Sequence, residues 1–173
     1  LRSQPFAHGD IKPDNIMVRP DGSLTLVDYD GMFVPAMKGQ KSPTIGTKDF
    51  SHPLRNIEDF DETIDDFALA SMLLSLYAMS KDVSLYDRYG SCGRLLFANS
   101  DYLSPKDSWL MDSLLDSFET AFSHSAFLLF VSSCVSTNYN EVLEKFYCVL
   151  KLWWEMEIPR YWELSTDDFI IDE

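Results

Sequence analysis

Glycine is scarce in this chain, with seven in 173 residues. None of them forms G-x-G-x-x-G, so the glycine-rich loops that cradle phosphates at a strand–helix turn are missing from it. Cysteine is scarcer still. Cys92, Cys134 and Cys148 stand far apart, with no CxxC and no Cys/His cluster. That pattern suggests neither a zinc site nor a disulfide framework, and a reducing, cytoplasmic setting is the expectation. Basic residues are outnumbered two to one, 14 Lys plus Arg against 28 Asp plus Glu, for a formal net charge of -14. With no run of five or more Lys/Arg, binding to nucleic acid or to an anionic membrane surface is not expected. Long apolar runs are lacking too. The nearly apolar stretches 68–79 and 126–131 are too short to span a bilayer, and no secretory signal opens the chain. It begins with Leu1 rather than Met, as expected of a truncated or processed product.

What is present suffices for a core. Apolar residues make up 46% and aromatics 14% of the chain, well above the range of disordered sequences. The runs 15–18 (NIMV) and 24–27 (LTLV) flank the turn-forming RPDGS of 19–23, which predicts a small hairpin. Residues 36–60 are rich in Gly, Pro and polar side chains and read as loop. From Thr63 the period changes. Ile64, Phe67, Leu69, Met72, Leu73, Leu76 and Tyr77 recur at helical spacing, predicting a buried helix over 63–79. Thr63 suits its N-cap, with Asp65 and Asp66 in the dipole-favoured first turn. Residues 80–107 are mixed. Further helices are predicted over 108–121 and 139–156, with Trp153 and Trp154 as core residues of the last.

The densest chemistry lies in HGDIKPDN, residues 8–15. Asp10 is a carboxylate able to accept a proton from an attacking hydroxyl. Lys12 is a positive charge suited to a phosphate in transfer. Asn15 is a neutral oxygen donor of the kind hard divalent cations take, and Asp28, just past the second predicted strand, offers a carboxylate to the same ion. Asp and Asn also serve as ordinary turn and cap residues. As a set, an acid, an ammonium, an amide and a second acid around a hairpin are what phosphoryl transfer needs: positioning and charge neutralisation.

The stretch resembles the catalytic loop of protein kinases, H-x-D-x-K-x-x-N, and Asp28-Tyr29-Asp30 looks like their metal-binding D-F-G. The resemblance implies Asp10 as catalytic base, Lys12 as the phosphate-contacting lysine, and Asn15 and Asp28 as magnesium ligands. His8 and Tyr29 would pack the two motifs together, and Met17 would lie under the adenine ring of ATP. Gly46-Thr47-x-x-Phe50-x-x-Pro53 resembles the end of an activation segment, whose threonine bonds back to the catalytic aspartate and lysine. Asp65-x-Phe67-Ala68-Leu69-Ala70 is similar to the D-x-W-S-L-G that opens the central helix of the large lobe, where the aspartate braces the catalytic loop. The motifs span residues 8–70.

The fold implied is α+β: the C-terminal lobe of a protein kinase-like fold, mainly helical with a small catalytic β-hairpin. Residues 1–62 would carry the catalytic loop, metal motif and activation segment, 63–158 a helical subdomain, and 159–173 an acidic tail. The β-rich N-terminal lobe would have to come from an upstream segment, since about seven residues precede the motif. The chain alone is then expected to bind ATP weakly. Protein Ser/Thr hydroxyls are the substrates implied.

Three positions depart from the family pattern. Gly9 stands where an arginine usually pairs with a phosphorylated activation loop, so the resemblance does not extend to that mode of control. Asp30 takes the place of the D-F-G glycine, with Gly31 one step late. Leu54 replaces the glutamate that closes the activation segment through a buried ion pair, so that anchor is expected to be absent or replaced, apolar packing being one substitute. Small-molecule phosphotransferases of the aminoglycoside type share H-G-D, but usually lack the lysine and the G-T…P segment. A pseudokinase-like binding or scaffold module is the third reading, against which the complete Asp10, Lys12, Asn15 and Asp28 set speaks.

Overall fold

The two short apolar runs pair as expected. In the computed structural model, which describes residues 2–157, β1 (Ile16–Val18) and β2 (Leu24–Leu26) form an antiparallel hairpin. Ile16 lies opposite Leu26, Met17 opposite Thr25 and Val18 opposite Leu24. Asn15 belongs not to the strand but to a 3-10 turn begun by Pro13, whose fixed φ suits a first helical position. The turn between the strands is held by Asp21, whose carboxylate accepts from the backbone N–H and the hydroxyl of Ser23.

The central helix is α1 (Asp66–Lys81). It starts three residues later than its apolar period suggests. Thr63 does not cap it: the Thr63 hydroxyl is spent on Asp61, and the N-cap residue is Asp65. Phe67, Ala70, Leu74 and Ala78 line its buried face. The mixed stretch holds two short helices, α2 (Ser84–Tyr89) and α3 (Asn99–Leu103).

The single helix predicted over 108–121 is two pieces. α4 (Trp109–Leu114) starts at Ser108, whose side chain accepts from the Met111 N–H, and runs into a 3-10 turn at Leu115–Ser117. Thr120 then caps a new helix, α5 (Ala121–Val135), by accepting from the Ser123 N–H. α5 was not expected from the sequence. Its apolar residues surround the axis, and two of its serines, Ser123 and Ser133, are buried, with the Ser133 hydroxyl donating to the Phe130 carbonyl. No polar face exists to give a period. α6 (Tyr139–Glu157) matches its prediction. The expected acidic tail from 159 lies outside the described residues.

The core fills the space between α1, α5 and α6. Phe67 and Phe130 stack at 5.2 Å between ring centroids, and Phe97 and Tyr102 pack against Phe130. Trp153 is buried edge-on against Tyr77 at 4.6 Å. Trp154 is not core as expected but exposed, because neighbouring residues on a helix point about 100° apart and cannot share one face. Arg2 ties the start of the chain to this body: it donates to Asp66 at 2.9 Å and lies 3.8 Å above the Tyr147 ring.

Phe130, with no exposed surface, and Trp109, 85% exposed, give a contrast. Phe130→Ala should cost about 3–5 kcal/mol, whereas Trp109→Ala should stay within about 0.5 kcal/mol. Urea unfolding of both variants checks this.

Candidate active site

His8, Gly9 and Asp10 run across the N-terminal end of α1. Asp65 holds the N-cap position of α1, but its side chain makes no capping hydrogen bond to that helix. Its two carboxylate oxygens instead accept the backbone N–H groups of His8 and Gly9, the latter at 2.8 Å. The acid is therefore a brace for the loop, not a dipole residue alone. Burial raises the Asp65 carboxyl above its ordinary value, against the downward pull of those two N–H groups. The His8 ring is fully buried. Its Nε2 lies 2.9 Å from the Val27 carbonyl; a carbonyl only accepts, so Nε2 carries the proton. Nδ1 is then free to accept from the Asp10 N–H at 3.4 Å. The ring also packs at 5.2 Å against Tyr29, whose hydroxyl donates to the Leu26 carbonyl. His8 thus joins the loop to the end of the hairpin.

Asp10 is held from both sides. One carboxylate oxygen accepts the Thr47 N–H at 2.7 Å, and the other lies 2.8 Å from the Lys12 ammonium. Lys12 also donates to the Thr47 hydroxyl at 3.2 Å. Burial would raise the Asp10 carboxyl, but the hydrogen bonds from Lys12 and Thr47 outweigh it and hold it below the ordinary range. The Asp10 hydrogen bond is the main reason Lys12 is raised, with Asp10, Asp14 and Asp28 adding attraction.

The sign of the pH effect follows. A lowered folded value means the ionised Asp10 stabilises the fold above the unfolded carboxylate range, and this is lost as pH falls through the folded value. Asp10→Asn should therefore flatten the loss of stability between neutral pH and about pH 3. The check is urea unfolding of wild type and variant across that range. The raised Asp65 and Asp66 act in the opposite sense, but they are common to both proteins and drop out of the difference.

Asn15 is buried, and its amide nitrogen donates to the Asp10 carbonyl at 2.8 Å. Its amide oxygen accepts no hydrogen bond among the described residues. Its backbone carbonyl accepts from the Val27 N–H at 3.0 Å, which sets Asp28 beside it. Asp28 is exposed and has a left-handed backbone, φ 66°, a conformation Asp tolerates better than most residues. A free amide oxygen and an exposed carboxylate suit magnesium, which takes one or two protein oxygens and fills its shell with water and phosphate oxygens. No group of three or more His, Cys, Asp or Glu side chains is arranged for a metal among the described residues. Met17 is more than half exposed on β1.

Three glycines converge here. Gly9 has φ +86°, and a Cβ on it would sit 2.1 Å from the Gly31 carbonyl oxygen. Gly46, φ +73°, approaches the Gly9 carbonyl and Asp10. An isolated pair of backbone hydrogen bonds between Ala7 and Phe33, 3.1 and 2.8 Å, clips the two loops together beside this contact. The two sequence departures are thus one feature: Gly31, a step late, faces Gly9, where an arginine side chain has no room.

At the segment end the glutamate anchor is replaced, though not by Leu54. Leu54 is half exposed and supplies no apolar anchor. Its neighbours do the anchoring. His52 is buried, stacks on Tyr139 of α6 at 3.7 Å, and shares a hydrogen bond with the Ser133 carbonyl at 2.9 Å. Arg55 reaches the Gly9 carbonyl. Sequence reasoning passed over both. A histidine three residues before an arginine, beside a lost glutamate, was the available signal.

Two curated proteins share partial likeness with this chain. It is 36% identical to serine/threonine-protein kinase WNG1 of Toxoplasma gondii over 77 residues, 44% of this chain and 12% of that one. It is 43% identical to sperm motility kinase 2A of Mus musculus over 53 residues, 30% of this chain and 10% of that one. The chain thus spans about a tenth of the length of these relatives. No family model matches, and no solved structure does. The partial likenesses indicate a kinase-like relationship over that part of the chain. No helix among the described residues is long and apolar enough to cross a membrane.

Proposed function

We propose that this chain carries the catalytic-loop side of a protein kinase-like phosphotransferase, which uses ATP and magnesium to phosphorylate Ser/Thr hydroxyls of a protein. The observation that carries the reading is the Asp10 carboxylate, fixed by the Thr47 N–H on one oxygen and the Lys12 ammonium on the other. A carboxylate held ionised in that way can orient an incoming hydroxyl and take its proton. Lys12 places positive charge beside it, where negative charge would build up during transfer. Asn15 and Asp28 would hold the metal, which supplies charge neutralisation when bound, and Met17 would lie against the adenine. His8 and Asp65 keep Asp10 in place. Thr47 carries the segment that would meet the substrate. The name of one partial relative, a serine/threonine-protein kinase, agrees with protein as the acceptor.

A radiolabelled ATP assay on the full-length gene product tests this. Label on protein supports the reading. Label on a sugar or an aminoglycoside moves the protein to the small-molecule phosphotransferases, and no label leaves a binding module.

A further inference from the structure

The two peptide units that flank Gly9 are both held from outside the loop. Gly9 donates its N–H to Asp65 at 2.8 Å. Its carbonyl accepts from Nη1 of Arg55 at 3.2 Å, across 46 residues of sequence. Gly9 needs such a grip. It sits at φ +86°, and a residue without Cβ has more backbone freedom than any other. The residue whose orientation depends on it is Asp10, its immediate neighbour.

Arg55 sits there at a cost. Its Nε and Nη2 are buried without a hydrogen-bond partner among the described residues, and unpaired buried donors are unfavourable. Burial lowers its own value, while Asp65 and Asp10 attract its charge. Arg55 is directed at a single carbonyl oxygen between two acids. It also belongs to the 46–55 segment, whose Thr47 already touches Asp10, so the segment is tied to the loop at two points.

We infer that Arg55 is a positioning residue: its guanidinium pins the Gly9 carbonyl and thereby fixes the backbone from which Asp10 projects, coupling the segment after Gly46 to the catalytic loop. Its effect on catalysis rests on the function proposed above; its effect on the loop does not.

The test therefore has two arms, on the full-length gene product. Backbone hydrogen exchange is measured for wild type, Arg55→Gln and Arg55→Lys. In Arg55→Gln, exchange at Gly9, Asp10 and Ile11 should quicken by roughly tenfold or more, with α5 and α6 unchanged. Arg55→Lys, which keeps a donor and the charge, should recover part of the protection. Unchanged exchange at these three amides in Arg55→Gln, or an equal rise throughout the chain, overturns the inference. The second arm is phosphorylation of protein substrate. There kcat in Arg55→Gln should fall by roughly tenfold or more, KM for ATP should move little, and Arg55→Lys should again be intermediate. A full kcat in a variant whose loop exchanges faster shows that the peptide's grip is irrelevant to Asp10 and also overturns it. If wild type transfers no phosphate, the functional reading fails, and the exchange arm alone decides Arg55.

Discussion

Asp10→Asn should lower protein phosphorylation by roughly 10²- to 10⁴-fold, the range a positioned base contributes. The change is nearly isosteric. An amide oxygen can still accept from the Thr47 N–H, so that contact, 2.7 Å in the wild type, survives. What is lost is the charge, and with it the 2.8 Å pairing to Lys12. The amide NH2 would then face an ammonium and could accept nothing from it. Losing one charge-assisted hydrogen bond should cost about 1–3 kcal/mol of stability, which a folded domain tolerates. Activity and folding are thus separable: circular dichroism and urea unfolding report a folded variant while transfer of label collapses. KM for ATP should stay within about twofold, since an interaction made in the transition state is the one removed. A folded Asp10→Asn that labels protein as fast as wild type would falsify the role of Asp10, and the proposed function with it.

Gly9→Ala should be among the most destabilising single-methyl additions the chain can suffer. Two effects add. The left-handed backbone, φ +86°, costs a residue with Cβ about 1–2 kcal/mol. The new methyl also lands 2.1 Å from the Gly31 carbonyl oxygen. Neither group is the movable end of a side chain, so the loops must part, and forced overpacking costs about 1–3 kcal/mol more. The sum is about 2–5 kcal/mol. Gly22→Ala supplies the control, with φ +78° but nothing within 4 Å of the added Cβ. It should lose only the backbone part, about 1–2 kcal/mol. Urea unfolding of the two variants separates the terms. Equal losses would mean that Gly31 moves aside freely and that the close approach carries no constraint.

Local signals made much of this legible. The hairpin was readable because apolar runs flank a turn whose Asp21 bonds to Ser23. α1 and α6 were readable because their apolar positions recur at helical spacing. The grouping of Asp10, Lys12 and Thr47 was implied by the resemblance of their two motifs to those of protein kinases, and the structure brings those three within hydrogen-bonding distance. What was not readable depends on tertiary partners. α5 has no polar stripe to reveal its period. Thr63 looked like a cap, but Asp61 took its hydroxyl. Gly9 looked like the loss of an arginine, when it is the gain of a contact whose other half lies 22 residues on. Arg55 offered no local reason to point inward, since its acceptor belongs to another loop.

The brace at Asp65 has a consequence for how the chain acquires this site. Its contacts to His8 and Gly9 close loops of 57 and 56 residues, and the Thr47–Asp10 contact closes one of 37. Loop closure of this length carries an entropic penalty, and a few polar contacts are too weak to meet it unaided. Asp65 reaches the loop because α1 is docked by Phe67, Ala70, Leu74 and Ala78 on its buried face. Helical packing is therefore expected to precede the site in time, and pulse-labelled hydrogen exchange during refolding, with α1 protected before Gly9, checks this. During synthesis the 8–15 loop would have nothing to brace it until Asp65 and its helix had arrived.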